Sequence, residues 1–214
     1  MALIKFMIDF ILHLDVYLGS IINQYGTLTY AILFLIIFVE TGLVFIPFLP
    51  GDSLLFAAGA FASLGSMNIF LLLILLVIAA VAGDTANYWI GHFFGEKIVA
   101  NPHIPINEDH IKKTSEFFKK YGGKTIILAR FIPIIRTFAP FVAGAGQMNY
   151  GKFISFNVIG GTAWVLIATL AGYFFGNIPF VKENFSLVII AVVLLSILPI
   201  ILEFAKSRLK NNSN

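Results

Sequence analysis

The sequence predicts an all-α polytopic membrane protein with an N-terminal amphipathic helix, about four transmembrane helices and two opposed re-entrant helical hairpins forming an inverted repeat. Three observations carry this expectation. Of 214 residues, 59% are hydrophobic and 12% charged, with a mean hydropathy of +0.93, outside the range of water-soluble domains. Apolar stretches of crossing length recur along the chain. Between them lie two apolar segments interrupted by proline and carrying charge, which suit neither a straight crossing nor an aqueous loop.

Residues 1–22 read as an amphipathic helix, because Lys5, Asp9 and His13 recur every four residues among Phe6, Ile8, Ile11 and Leu12. Asp9 and Asp15 inside the apolar stretch argue against a cleaved signal peptide. The membrane domain spans 23–205, its first repeat 23–95. A crossing runs from about Thr27 to Phe45 and holds Glu40 near its far end. The next seven residues, 46–52, contain Pro47, Pro50, Gly51 and Asp52, which cannot continue a helix. The apolar stretch after them is too short to cross, so a re-entrant hairpin is expected, its non-helical backbone buried by other helices. A second crossing covers about Ile69 to Phe94 and carries Asp84.

Residues 96–124 are polar and lysine-rich, with a short surface helix capped by Asn107 and ending at Tyr121-Gly122-Gly123. The second repeat, 125–178, opens on an apolar segment bearing Arg130, Pro133, Arg136 and Pro140. Two arginines facing lipid would cost at least ~2.5 to 3.5 kcal/mol each, so this segment is the second hairpin. Crossings at about Phe153 to Phe175 and Leu187 to Phe204 follow, the last helix being 185–205 and the basic tail 206–214.

If both hairpins return to the side they entered, the lysine-rich 96–124 region and the tail share a face, which the positive-inside rule makes cytoplasmic. The hairpins then enter from opposite sides. Short matches in shared order support a duplication: Phe45-Ile46-Pro47 with Phe131-Ile132-Pro133, Ala58-Gly59-Ala60 with Ala143-Gly144-Ala145, and Gly91 to Gly95 with Gly172 to Gly176. Tyr25-Gly26 likewise matches Tyr121-Gly122.

Charged residues inside a membrane are expensive enough to indicate function. The guanidinium forks of Arg130 and Arg136 suit the phosphate of an anionic lipid headgroup. Glu40 and Asp52 suit proton coupling, because a low dielectric favours the neutral carboxyl. A mutual lock among these four charges is the bland alternative. Asp84 could join the proton coupling or simply be hydrogen-bonded by Asn87 or Tyr88. His92 reads as interfacial, the Gly91–Gly95 and Gly172–Gly176 spacings as close helix packing, and Trp89 and Trp164 as anchors or packing residues. Without cysteine, and with scattered histidines, no metal site or cofactor is expected. No nucleophile triad or nucleotide-binding fingerprint appears, so a transporter is expected rather than an enzyme, with no nucleic-acid partner and homo-oligomerisation left open.

Glu40-Thr41-Gly42, Pro47 to Asp52, Gly83-Asp84 with Tyr88, and Arg130 to Pro133 with Arg136 and Pro140 resemble the DedA family, the bacterial branch of the SNARE-associated Golgi or VTT-domain superfamily. The resemblance implies a flippase of the bacterial inner membrane, with undecaprenyl phosphate as the leading substrate and phosphatidylethanolamine as an alternative. It places the family's functional acids and arginines on Glu40, Asp52, Arg130 and Arg136, and it implies a link to the proton motive force. Against it stands a proton-coupled antiporter of small cations or drugs, or a membrane assembly factor that transports nothing.

Overall fold

The computed structural model describes residues 14–43, 51–99, 108–146, 148–176, 178–184, 187–188 and 191. Every element among them is helical. Pro47 and Pro50, the residues before Leu14, and the last crossing with its basic tail lie outside the described residues, 187, 188 and 191 excepted.

Helix α1, Leu14–Tyr25, is the described part of the amphipathic segment and runs three residues beyond its expected end at 22. It turns at Gly26, whose φ of 52° suits a residue without Cβ, into α2, Leu28–Gly42. Helix α3, Gly51–Ser63, has 13 residues, about 20 Å of rise, too short for a hydrocarbon core of about 30 Å. It is nonetheless buried along most of its length. The long α4, Ile69–Val99, passes the expected end at Phe94 by five residues. Then come α5, Glu108–Tyr121, a 3-10 turn at Gly122–Lys124, α6, Thr125–Ala129, and α7, Pro133–Ala145, again of 13 residues. Helix α8, Tyr150–Phe175, and the one-turn α9, Pro179–Glu183, follow. Ile69–Gly95 and Tyr150–Phe175 are long and apolar enough to cross a membrane. Exposed Phe70, Ile74 and Ile78 on α4, and Ile159, Ile167 and Phe174 on α8, give them apolar outer faces.

The helices pack in a reciprocal pattern. Helix α3 packs along α8, α7 packs along α4, and the amphipathic helices follow suit, α1 on α3 and α5 on α7. A Cβ on Gly59 would run into the Thr169 carbonyl, and one on Gly144 into that of Tyr88. In return, Gly172 meets the Phe56 carbonyl and Gly91 that of Phe141. One set of glycine-mediated crossings therefore occurs twice, as the glycine spacings predicted. Beyond the matches read from sequence, Met67-Asn68 and Met148-Asn149 occupy equivalent places: Asn68 caps the first turn of α4 by accepting from the Leu71 N–H at 3.0 Å, and Asn149 caps α8 from Lys152 at 3.2 Å. Gly26 and Gly122 both hold positive φ, 52° and 59°, at the turn after the amphipathic helix.

Because these crossings are backbone against backbone, neither partner can move aside. Gly59→Ala and Gly144→Ala should each destabilise the fold by about 1–3 kcal/mol, the usual range for overpacking. Thermal unfolding of the two purified variants checks this, and a wild-type midpoint for either would contradict the symmetric packing.

Candidate functional site

The second helix break follows from local chemistry. Pro133 restrains Ile132 to an extended conformation, with φ −124° and ψ 102°, and occupies the first turn of α7, where its missing N–H costs nothing. Ahead of it, the Arg130, Phe131 and Ile132 amides reach back only three residues, to Ile127, Leu128 and Ala129. Pro140 sits inside α7 and removes the N–H that would have bonded the Arg136 carbonyl. Arg130 thus stands at the break and Arg136 in the first turn beyond it. Asp52 occupies the corresponding first turn of α3, beside Gly51, where a helix N-terminus favours negative charge.

Arg136 is shared between the two acids. Its Nη2 lies 2.7 Å from Glu40 Oε1 and its Nη1 3.0 Å from Asp52 Oδ1. Glu40 comes from the end of α2, and its carboxylate sits against Gly51, where a Cβ would come within 2.6 Å of Oε1. This close approach explains the glycine at the start of α3. The Trp164 indole N–H donates to Asp52 Oδ1 at 2.6 Å, and the Arg136 guanidinium lies 4.9 Å from the indole ring centroid.

Arg130 forms a second, more deeply buried group. Its Nη2 pairs with Asp84 Oδ2 and donates to Asn157 Oδ1 at 2.7 Å and to the Ala80 carbonyl at 3.3 Å. Asn157 in turn donates to the Val81 carbonyl at 3.0 Å, which fixes its oxygen toward Arg130. The side chains of Arg130 and Asp84 are 1% and 4% exposed, whereas Arg136 is 12% and Asp52 27% exposed. The Trp164 ring also lies 5.6 Å from the Arg130 guanidinium, so one indole spans both groups.

Three sequence expectations change. Asp84 is not held by Asn87 or Tyr88; it is the counter-ion of Arg130. Asn87 instead donates to the Thr41 carbonyl at 3.3 Å and the Thr137 carbonyl at 3.0 Å, joining the end of α2 to α7 through α4, and Tyr88 donates to the Met148 carbonyl. The two arginines are not equivalent ligands facing two acids: Arg136 takes both Glu40 and Asp52, and Arg130 takes neither. Trp164 is part of the charged cluster rather than a boundary anchor. Trp89 and His92 stay outside it, in an aromatic group with Tyr88, Phe93 and Tyr150. His92 is exposed. Asn157 is a lone amide within an apolar crossing, a signal legible in the sequence, and Trp164 lies mid-helix, away from the ends where anchors sit.

Several buried polar atoms in and beside the cluster have no hydrogen-bond partner: Glu40 Oε2, Asn87 Oδ1, and Arg130 Nε and Nη1. Buried donors and acceptors of this kind are normally satisfied, and these four find no protein partner among the described residues. Among the described residues, no group of histidine, cysteine, aspartate and glutamate side chains is spaced to hold a metal ion.

The VTT domain matches residues 49–174, which take in all of α3 and all but the last residue of α8 and hold all of the cluster except Glu40. The chain belongs to the VTT-domain family. Within it, the chain is 55% identical over 211 residues to Protein DedA of Escherichia coli K12, covering 97% of this chain and 96% of that one. It is 43% identical over 175 residues to an uncharacterized membrane protein of Mycobacterium tuberculosis, covering 80% and 77% of the two chains. It is 37% identical over 153 residues to the inner membrane protein YqjA of Escherichia coli K12, covering 70% and 69%. No solved structure matches. Membership of the DedA group is thus established, and with it a membrane protein.

Proposed function

We propose that this protein is a translocase for an anionic phospholipid of the bacterial inner membrane, in which the lipid phosphate competes with the carboxylates of Glu40 and Asp52 for Arg136 and protonation of those acids favours the phosphate. The observation that carries this reading is the sharing of one partly exposed guanidinium by two carboxylates, Glu40 and Asp52, on separate segments. With both acids ionised, Arg136 is occupied. Protonating either one frees part of its fork for a phosphate oxygen, and departure of the phosphate invites the acids to ionise again. Arg130, fixed by Asp84 and Asn157, adds positive charge nearby, and its unpartnered Nε and Nη1 are further donors for the same headgroup.

In this reading the two 13-residue helices, α3 and α7, are the returning arms of re-entrant hairpins that enter from opposite sides as an inverted repeat. Residues 96–124 and the C-terminus are cytoplasmic, following the lysine distribution. Pro133 opens α7 just beyond the break at Arg130, and Gly51 opens α3 beside Asp52, so the charges gather at helix ends. Undecaprenyl phosphate is the first substrate to try, given the family's association with it. Glu40 Oε2, an acceptor with no partner, is the feature that favours the alternative of a proton-coupled cation antiporter.

Purified protein in liposomes should accelerate the loss of an outer-leaflet polyprenyl phosphate, and Arg136→Ala should abolish the acceleration while the protein still inserts. Failure to exceed empty liposomes with any of several anionic lipids would sink the proposal. A cation-driven pH change in everted vesicles, lost in Glu40→Gln, would establish the antiporter instead.

A further inference from the structure

We infer that the second repeat carries a lipid site that the first repeat has filled in: a cavity between α5, α7 and α8 that takes an acyl chain of an anionic phospholipid, with Lys152 under its headgroup. The cavity measures about 660 Å³, within the usual ~300–1,000 Å³ of small-molecule sites. Phe118, Val142, Met148 and Phe156 give it apolar walls, and Ser115 and Lys152 are its polar residues. Among the described residues, no carboxylate lines it. It is separate from the ion cluster: Ala143, on its wall, lies seven residues along α7 from Arg136, about 10 Å at 1.5 Å per residue.

The internal repeat supplies a built-in comparison. Where Tyr25-Gly26 matches Tyr121-Gly122, Ser115 corresponds to Gly19; where Ala58-Gly59-Ala60 matches Ala143-Gly144-Ala145, Gly146 corresponds to Phe61; where Met67-Asn68 matches Met148-Asn149, Lys152 corresponds to Leu71. In the first repeat the Phe61 ring lies 3.4 Å from where a Cβ on Gly19 would be, so the equivalent space is occupied by protein, and Met67 is buried. In the second repeat the ring is absent at Gly146, a hydroxyl replaces the glycine, a cation replaces Leu71, and Met148 lines open space. The helix crossings around both places are otherwise repeated. The opening is therefore a local departure that removes an aromatic plug and adds one positive charge at the same spot.

Those two changes together specify an amphiphile with an anionic head. Lys119, Lys120 and Lys124, exposed on the adjoining turn, carry the same sign and suit a phosphodiester at the membrane surface. This does not rest on the reading of the ion cluster.

The test uses the full-length protein in nanodiscs with phosphatidylglycerol bearing a diazirine on one acyl chain, the attachment sites being read by peptide mass spectrometry. Label should fall on the peptides holding Val142, Met148 and Phe156, and unlabelled phosphatidylglycerol should suppress it more effectively than phosphatidylcholine. Gly146→Phe, which copies Phe61, should lose most of the label. Lys152→Leu, an exposed position that copies Leu71, should keep the label and lose the preference for phosphatidylglycerol. Arg136→Ala should label as wild type does. Equal competition by the two lipids in wild type, unchanged labelling of folded Gly146→Phe, or no label at these peptides, as when a segment of the chain itself fills the cavity, would each overturn the inference.

Discussion

Asp84→Ala should cost about 3–5 kcal/mol of folding stability, the range seen when one member of a buried ion pair is removed. The expectation rests on what would remain. The Arg130 side chain is 1% exposed, its Nη2 faces Asp84, and its Nε and Nη1 already lack partners. The Asn157 oxygen and the Ala80 carbonyl would then be the only acceptors left to the guanidinium among those described. A cation in that position cannot shed its charge by deprotonation, since arginine stays protonated. The yield of monodisperse protein in detergent and its unfolding midpoint measure the loss. The pair Asp84→Leu with Arg130→Met removes both charges and should recover most of the stability, because apolar replacements of a buried pair are often neutral. If Arg130 serves the lipid headgroup, that double variant folds yet fails to translocate. Wild-type stability for Asp84→Ala would mean that the pair bears no structural load.

Much of this architecture is written in local sequence. Pro133 and Pro140 announce a broken helix, and the break occurs at Arg130 to Ile132 because the residue before a proline is driven out of the helical region. The polar run ending at Tyr121-Gly122 is the described α5. The paired glycine motifs are legible because a close helix crossing admits no Cβ, and the same residues appear in both repeats. What local reasoning cannot supply is partner choice. Arg130 and Asp84 are separated by α5, α6 and the loops between, and nothing in periodicity distinguishes Asp84 from Asp52 as the counter-ion. The preference arises only when α4 and α8 bring Asp84 and Asn157 to the same side of the break. Trp164 is ambiguous for a different reason: tryptophan is common at membrane boundaries, and only its mid-helix position points to a partner in the interior.

Neutralising both acids, Glu40→Gln with Asp52→Asn, should separate a substrate site from a structural lock. In wild type, Arg136 spends its fork on two carboxylates, at 2.7 and 3.0 Å. Amide side chains keep the shape but present no charge, so a phosphate no longer has to displace an anion to reach the guanidinium. Binding of a short-chain isoprenyl phosphate in detergent should tighten by about tenfold or more, corresponding to about 1.4 kcal/mol of competition removed. Translocation should fall at the same time, because nothing remains to expel the bound phosphate and no proton is exchanged. The two readouts therefore move in opposite directions, which a lock does not allow: if the charges only hold one another, the same variant loses stability, gains no affinity for phosphate, and behaves like Arg136→Ala. Trp164, whose ring centroid lies 4.9 Å from the guanidinium in the wild-type protein, should help keep the freed cation in place. Calorimetric titration with the isoprenyl phosphate decides between the two, and unchanged affinity would reduce the cluster to a fastening between helix breaks.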